Sequence, residues 1–194
     1  AFAGNPADQA ISDIVGSRGP DRFNLGGPGP VALINTAQLT ANRATDVKFY
    51  STNGNDSAGS RLRRILEQTP VNLDHFRTVD SPAPITFALS DPNHNEGSGE
   101  RTFVNGIRSA WKLLPVDLTD EFFDADIVLL GGTALVPEIH AGLSELTRRG
   151  KAAGGITVVT TVYDFQNEKK RPEMPWPLGA TDDTYKNLDL LVTD

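Results

Sequence analysis

Two glycine turns, each running straight into a helical stretch, constrain this chain more than any other feature. The first is Asn24-Leu25-Gly26-Gly27-Pro28-Gly29-Pro30. It opens a helix read over residues 31–41, with Val31, Ile34 and Leu39 on one face. The second is Gly54-Asn55-Asp56-Ser57-Ala58-Gly59, which opens a helix over residues 57–68 with Ser57 as N-cap and Leu62, Ile65 and Leu66 inward. Between them residues 46–51 alternate Val47 and Phe49 with Lys48 and Tyr50, as a strand would. Paired glycines allow positive φ and let a ligand approach peptide N–H groups with no Cβ in the way. The helix behind them aims its positive end at whatever is bound. Such a turn suits a polyhydroxylated ligand as well as a phosphate.

The rest of the chain keeps a strand-helix rhythm with one interruption. Residues 1–3 and 10–15 are strand candidates at the start. Between Pro82 and Gly106 two strands follow one another: Ile85, Phe87 and Leu89 alternate with smaller residues, and residues 101–105 do the same around Phe103. That pattern is a hairpin, and its polar, glycine-rich connection over residues 91–100 makes a surface tip. His94 lies in that tip; it, His75 and His140 are read as solvated side chains and not as ligands or bases. A short helix over residues 117–124 leads to a buried strand over 126–130 that ends in Gly131-Gly132. A helix over residues 137–149 follows, with Pro137 in its first turn and Ile139, Leu143 and Leu146 inward. Residues 156–162 and 188–193 are β-branched or apolar runs of the kind buried in parallel sheets. The polar segment 164–183 between them, which holds Trp176, is either functional or a covering flap. The expected fold is therefore α/β: a mainly parallel sheet of 1–3 or 10–15, 46–51, 126–130, 156–162 and 188–193, with helices on both faces.

Composition narrows the function. The 194 residues carry a formal net charge of −7, with 38% hydrophobic residues, two Trp and nine Phe. An acidic chain does not present the basic face that a nucleic-acid backbone requires. Arg148-Arg149-Gly150-Lys151 falls in the last turn of a helix, where cations complement the macrodipole, and Lys169-Lys170-Arg171 lies in a loop open to a phosphate contact. The absence of cysteine excludes disulfides, a thiolate nucleophile and thiolate-bound zinc, and fits a cytoplasmic setting. No apolar run reaches membrane-spanning length, so no membrane partner is expected. A sequence that begins at Ala1 and holds a single Met is read as omitting part of the natural chain.

The order of these features resembles the ribokinase-like carbohydrate kinases, the phosphofructokinase B family, over nearly the whole chain. Gly26-Gly27 followed by Ala32, Ala37 and Leu39 is similar to that family's N-terminal signature. Gly54 to Gly59 is similar to its second glycine turn, and Asp189 to Asp194 to the strand entering its Asn-x-x-Glu motif. The resemblance implies a three-layer αβα body with a small β-sheet lid, formed mainly by about residues 82–106 with 18–25. The lid's alternative is an edge ribbon or a homodimer contact. It implies ATP-dependent transfer of the γ-phosphoryl group to a hydroxymethyl group of a sugar or nucleoside. Asp8, Asn24, Gly26 and Gly27 would be the substrate contacts. Asp194 would stand where the family places the asparagine of Asn-x-x-Glu, acting on Mg²⁺ through water.

Three departures accompany the resemblance. Val31 occupies the place of a sugar-binding asparagine, Asp8 stands one position nearer Gly4 than the pattern has it, and no Gly-Ala-Gly-Asp motif occurs. That motif supplies the family's base and anion hole, so the resemblance implies one incomplete domain over 1–194, inactive by itself, with its base beyond Asp194. The alternative is a non-enzymatic sugar-binding or regulatory protein of the same fold. A nicotinamide enzyme is a poor reading, because Gly26-Gly27-Pro28-Gly29 is not Gly-x-Gly-x-x-Gly.

Overall fold

The structure is a computed structural model and describes residues 22–193 together with Gln9, Asp13 and Ile14. Helix α1 spans Pro28–Leu39. Its buried side is Ala37, with Leu33 and Ile34 packed on a cluster of Phe49, Leu66, Val71 and Phe76. The expected face of Val31, Ile34 and Leu39 is therefore corrected: Val31 is 40% and Leu39 83% exposed. At about 100° per residue Leu39 lies roughly 200° around the axis from Ala37. Val31 stands in the exposed first turn.

A parallel βαβ unit follows: β1 (Ser51–Gly54), α2 (Ser57–Leu66) and β2 (Phe76–Val79), with Ser51 opposite Phe76. The strand expected over 46–51 starts later. Phe49 is buried as its alternation implies, but Lys48 makes only an isolated bridge to Asn72. The cause lies in the partner chain, where Asn72 Oδ1 accepts from Asp74 N at 3.0 Å and bends the backbone out of the ladder. Asp56 caps α2 in place of Ser57, accepting from Gly59 N at 2.9 Å. This turn is tight enough that a Cβ on Gly59 would stand 2.1 Å from Gly54 O, and a Cβ on Gly54 2.1 Å from Ala83 N. Asp56 Oδ1 also accepts from Ala83 N at 3.2 Å, tying the turn to the base of the next element.

That element is the antiparallel hairpin β3 (Ile85–Asp91) and β4 (Glu100–Gly106), as the alternation implied, in register from Ile85↔Gly106 to Asp91↔Glu100. At its tip His94 Nε2 stands 3.0 Å from Glu100 Oε2. Beyond it come α3 (Asp120–Phe123), β5 (Ile127–Gly131), α4 (Pro137–Ala141), α5 (Leu143–Ala152), β6 (Ile156–Thr160), α6 (Phe165–Lys170), α7 (Asp183–Lys186) and β7 (Leu190–Val192). Strands β5, β6 and β7 form a parallel sheet in that order. The helix expected over 137–149 is divided at Gly142, where a Cβ would meet Pro115 Cγ at 3.0 Å. Its inward residues are as expected: Ile139, Leu143 and Leu146 are buried against Val128, Leu130 and Val159. The opposite sheet face leaves Ile127, Ile156, Leu190 and Val192 exposed.

Two expectations about the sheet change. The described strands form separate ladders, β1-β2, β3-β4 and β5-β6-β7, so 46–51 does not join 126–130 in one ladder. Gln9, Asp13 and Ile14 are helical, with Gln9 Nε2 donating to Asp13 Oδ1 at 2.8 Å, which replaces strand by helix at the described positions of 10–15. Residues 1–3 lie outside the described residues.

Several basic residues act as struts. Arg63 donates to Phe76 O and lies 5.0 Å from the Phe76 ring centre, and Arg61 lies 4.2 Å from that of Phe23. Arg149 spans Leu118 O, Asp120 and the face of Phe123. Lys151 pairs with Asp189, whose Oδ2 also accepts from Thr157 N at 2.9 Å and so locks β7 to β6. The Lys151 ammonium first, and then the Thr157 N–H, hold the Asp189 carboxyl well below its ordinary range, lowered from 3.8 to about 2. A folded-state value below the unfolded one stabilises fully above about pH 4 and is lost as pH falls through about 2. Acid titration of unfolding should therefore show stability falling across that window in the wild type, with a shallower fall in Asp189→Asn; identical pH profiles would remove Asp189 from the account.

Candidate functional site

Parallel α/β sheets place ligands outside the carboxyl ends of their strands, so the carboxyl edge of β5-β6-β7 is where a site is to be sought. Two of its strands, β5 and β6, end in a turn with an unusual backbone. Strand β5 ends in Gly131-Gly132, with Gly132 at φ 64. Strand β6 runs into Thr161 and Val162, and Val162 sits at φ 61, a left-handed conformation that a β-branched residue adopts only under strain. Strained residues of this kind concentrate at ligand sites.

The first glycine turn comes to the same edge. A Cβ at Gly131 would stand 3.3 Å from Gly29 Cα, so backbone meets backbone where α1 begins. Gly27, at φ 94, is the N-cap of α1, and Val31 N donates to its carbonyl at 3.2 Å. Gly26 is open: nothing would lie within 4 Å of a Cβ there. Asn24 is exposed. The turn therefore offers open backbone, as expected, but fewer donors than a helix start normally has. Pro28 and Pro30 have no N–H, so Gly29 alone among the first three helical positions carries one.

Beside this edge, at the ends of β6 and β7, lies a cleft of about 460 Å³. Its lining includes His140, Val162, Asp164, Trp176, Tyr185 and Thr193. His140 is the residue that sequence reading missed. It is not solvated: its side chain is 15% exposed, and Nδ1 lies 3.1 Å from Thr133 Oγ1. The available signal was spacing, since Val136, His140 and Leu143 recur at i, i+4 and i+7, the stripe a helix turns inward. Asp164, 13% exposed, caps α6 by accepting from Asn167 N at 3.1 Å and from Asn167 Nδ2 at 2.7 Å. Asn167 Oδ1 in turn accepts from Arg171 Nε at 2.9 Å, and Trp176 Nε1 donates to Arg171 O at 3.2 Å. The segment expected as a loop or flap over 164–183 is thus an ordered wall of the cleft, with Lys169 and Lys170 exposed at the end of α6.

Of the expected contacts, Asn24, Gly26 and Gly27 are in the α1 turn and do not line this cleft. Asp8 and Asp194 lie outside the described residues. Among the described residues no group of three His, Asp or Glu side chains could hold a metal ion; the Mg²⁺ expectation rests on Asp194, which lies outside them. No helix among them is long and apolar enough to cross a membrane.

Thr160 joins the two parts of the edge, its Oγ1 accepting from the buried Gly132 N at 2.9 Å. Thr160→Val keeps the shape and leaves that donor unpaired, which should cost about 1–3 kcal/mol in urea unfolding and speed exchange of the Gly132 amide. Unchanged exchange there would show that the bond does not hold the turn.

No known protein-family model matches the chain, and no curated protein matches it. Solved structures do. The adenosine kinase of Anopheles gambiae, in complex with P1,P4-di(adenosine-5) tetraphosphate, superposes with a TM-score of 0.72 at 15% identity, covering 99% of this chain and 53% of that one. The fructokinase of Xylella fastidiosa with bound ATP gives 0.60 at 22% identity, over 90% and 54% of the two chains. A putative ribokinase II from E. coli gives 0.61 at 17% identity, over 91% and 56%. The chain has the ribokinase-like fold of these kinases and spans about half their length.

Proposed function

We propose that this chain belongs to an ATP-dependent sugar or nucleoside kinase that transfers the γ-phosphoryl group to a hydroxymethyl group. The observation that carries the reading is the meeting of Pro28-Gly29 with Gly131-Gly132 at the carboxyl edge of a parallel sheet, in a fold shared with proteins described as adenosine kinase and fructokinase. In this reading Asp8 and Asn24 meet hydroxyls of the acceptor, and the open backbone at Gly26 and Gly27 lets the ring approach. ATP supplies the phosphoryl group, and Mg²⁺, with Asp194 near it, offsets phosphate charge. The protein's own part is positioning and the exclusion of water, which competes with the acceptor hydroxyl.

Residues 82–106 would provide that exclusion as a lid. Asp56 binds both α2 and Ala83, so motion of the hairpin would pivot where Pro82 and Ala83 meet the second glycine turn. Hydrogen exchange in β3 and β4 should be faster than in β6 without ligand, and slow when D-fructose, D-ribose or adenosine binds. Exchange indifferent to a bound acceptor would make the hairpin a structural ribbon.

A coupled ADP-release assay, with ATP, Mg²⁺ and each of those acceptors, tests the function on the natural protein that contains these residues. Acceptor-dependent ADP release is the expected result. The second reading, a sugar-binding or regulatory protein of the same fold, is favoured by the two prolines that remove donors from the first turn of α1. Acceptor binding without ADP release would select it.

A further inference from the structure

The cleft at the ends of β6 and β7 contains a pair of polar groups that the kinase reading does not use. Among the described residues His140 Nε2 is buried without a hydrogen-bond partner, although the ring lines the cleft. Asp164 Oδ2 stands 3.9 Å from it, too far for a direct bond. We propose that His140 and Asp164 together seat one hydroxyl group of a furanose or similar polyol ring, making them specificity-determining residues of this site. The proposal rests on the reading above that the ligand is hydroxylated.

The valences select the group. Thr133 is buried, and its Oγ1 stands 3.1 Å from Nδ1; the Asp164 carboxylate beyond Nε2 favours the tautomer with its proton there, in which the Thr133 hydroxyl donates to Nδ1. The Asp164 carboxylate accepts from Asn167 N and Asn167 Nδ2 and still has acceptor capacity on the side facing His140. A group between the two must accept from an N–H and donate to a carboxylate at once. A hydroxyl does both. A carbonyl would meet the carboxylate with its lone pairs, and an ammonium would meet the N–H with its own protons. Trp176, Tyr163 and Tyr185 line the same cleft and supply aromatic surface for the C–H side of such a ring, while the volume of about 460 Å³ falls in the range of small-molecule sites. The furanose could belong to a free sugar, a nucleoside or the ribose of a nucleotide, which share this chemistry.

Calorimetric titration distinguishes these sources, with D-fructose, D-ribose, adenosine and ATP as separate probes against the wild type, His140→Ala and His140→Gln. For one source the affinity should fall about 10- to 100-fold in His140→Ala, the worth of a hydrogen bond in a charge-assisted pair, and recover in large part in His140→Gln, which retains an N–H donor. If adenosine is that source, 2′-deoxyadenosine and 3′-deoxyadenosine add a readout that a structural role would not move. One of them should bind the wild type as weakly as adenosine binds His140→Ala, and lose nothing further in the variant. Affinities within twofold across all variants, an equal loss for adenosine and both deoxy forms, or no binding of any probe by the wild type would each overturn the proposal. Circular dichroism of the variants guards against unfolding, and an unfolded His140→Ala shifts the comparison to His140→Gln, in which adenosine should lose some affinity while the matching deoxy form binds as it binds the wild type. His140-dependent binding without ADP release would sink the kinase reading and leave this one standing.

Discussion

Contacts between peptide backbones, possible only where one partner lacks a Cβ, hold the glycine turns of this molecule in place. At Gly54 and Gly59 the second turn folds back so closely that either side chain would overlap main-chain atoms, 2.1 Å away in each case. At Gly29 and Gly131 the start of α1 reaches the end of β5 by the same means. Main chain cannot move aside as a long side chain can, so these contacts set distances between elements that hydrophobic packing alone would leave loose. The contact of Gly29 with Gly131 sets where the start of α1 stands at the carboxyl edge of the sheet.

The edge combines this rigidity with local cost. Val162 holds a conformation that suits glycine, and His140 keeps a buried nitrogen unsatisfied among the described residues. Neither helps the fold. Strain and unpaired polar groups survive where the surrounding structure over-determines them, and here they follow β6 and β7, two strands pinned together at their opposite, amino ends. Asp189 shows how they are held: one carboxylate takes a strand N–H, a threonine hydroxyl and a lysine on the neighbouring helix. The stable and the costly features are a few residues apart on the same two strands.

Much of this was legible in the residues. The hairpin, β5 to β7 and the inward set Ile139, Leu143 and Leu146 follow from alternation and helical spacing, because those segments bury one well-defined face. Where reading failed, a contact remote in sequence had intervened. Asn72 and Asp74 turn the chain that partners residues 46–51, and Gly142, where the helix divides, packs against Pro115 too closely for a larger residue. The rotation of α1 depends on which of its many apolar residues meets Phe49 and Leu66, which its own pattern does not say. His140 could have been found by its spacing from Val136 and Leu143. The pairing of that ring with Asp164 could not, since it requires knowing that the ends of α4 and β6 converge.

The pairing of strands has a further consequence. Each of the three ladders joins only strands that follow one another in the chain: β1 with β2, β3 with β4, and β5, β6 and β7 in succession. Short loops close at small entropic cost, and mean sequence separation of contacts governs how fast small domains fold. A ribosome releasing this polypeptide from its N-terminal end would deliver each of these ladders complete before the next begins, so that the described strands meet their ladder partners in the order of synthesis.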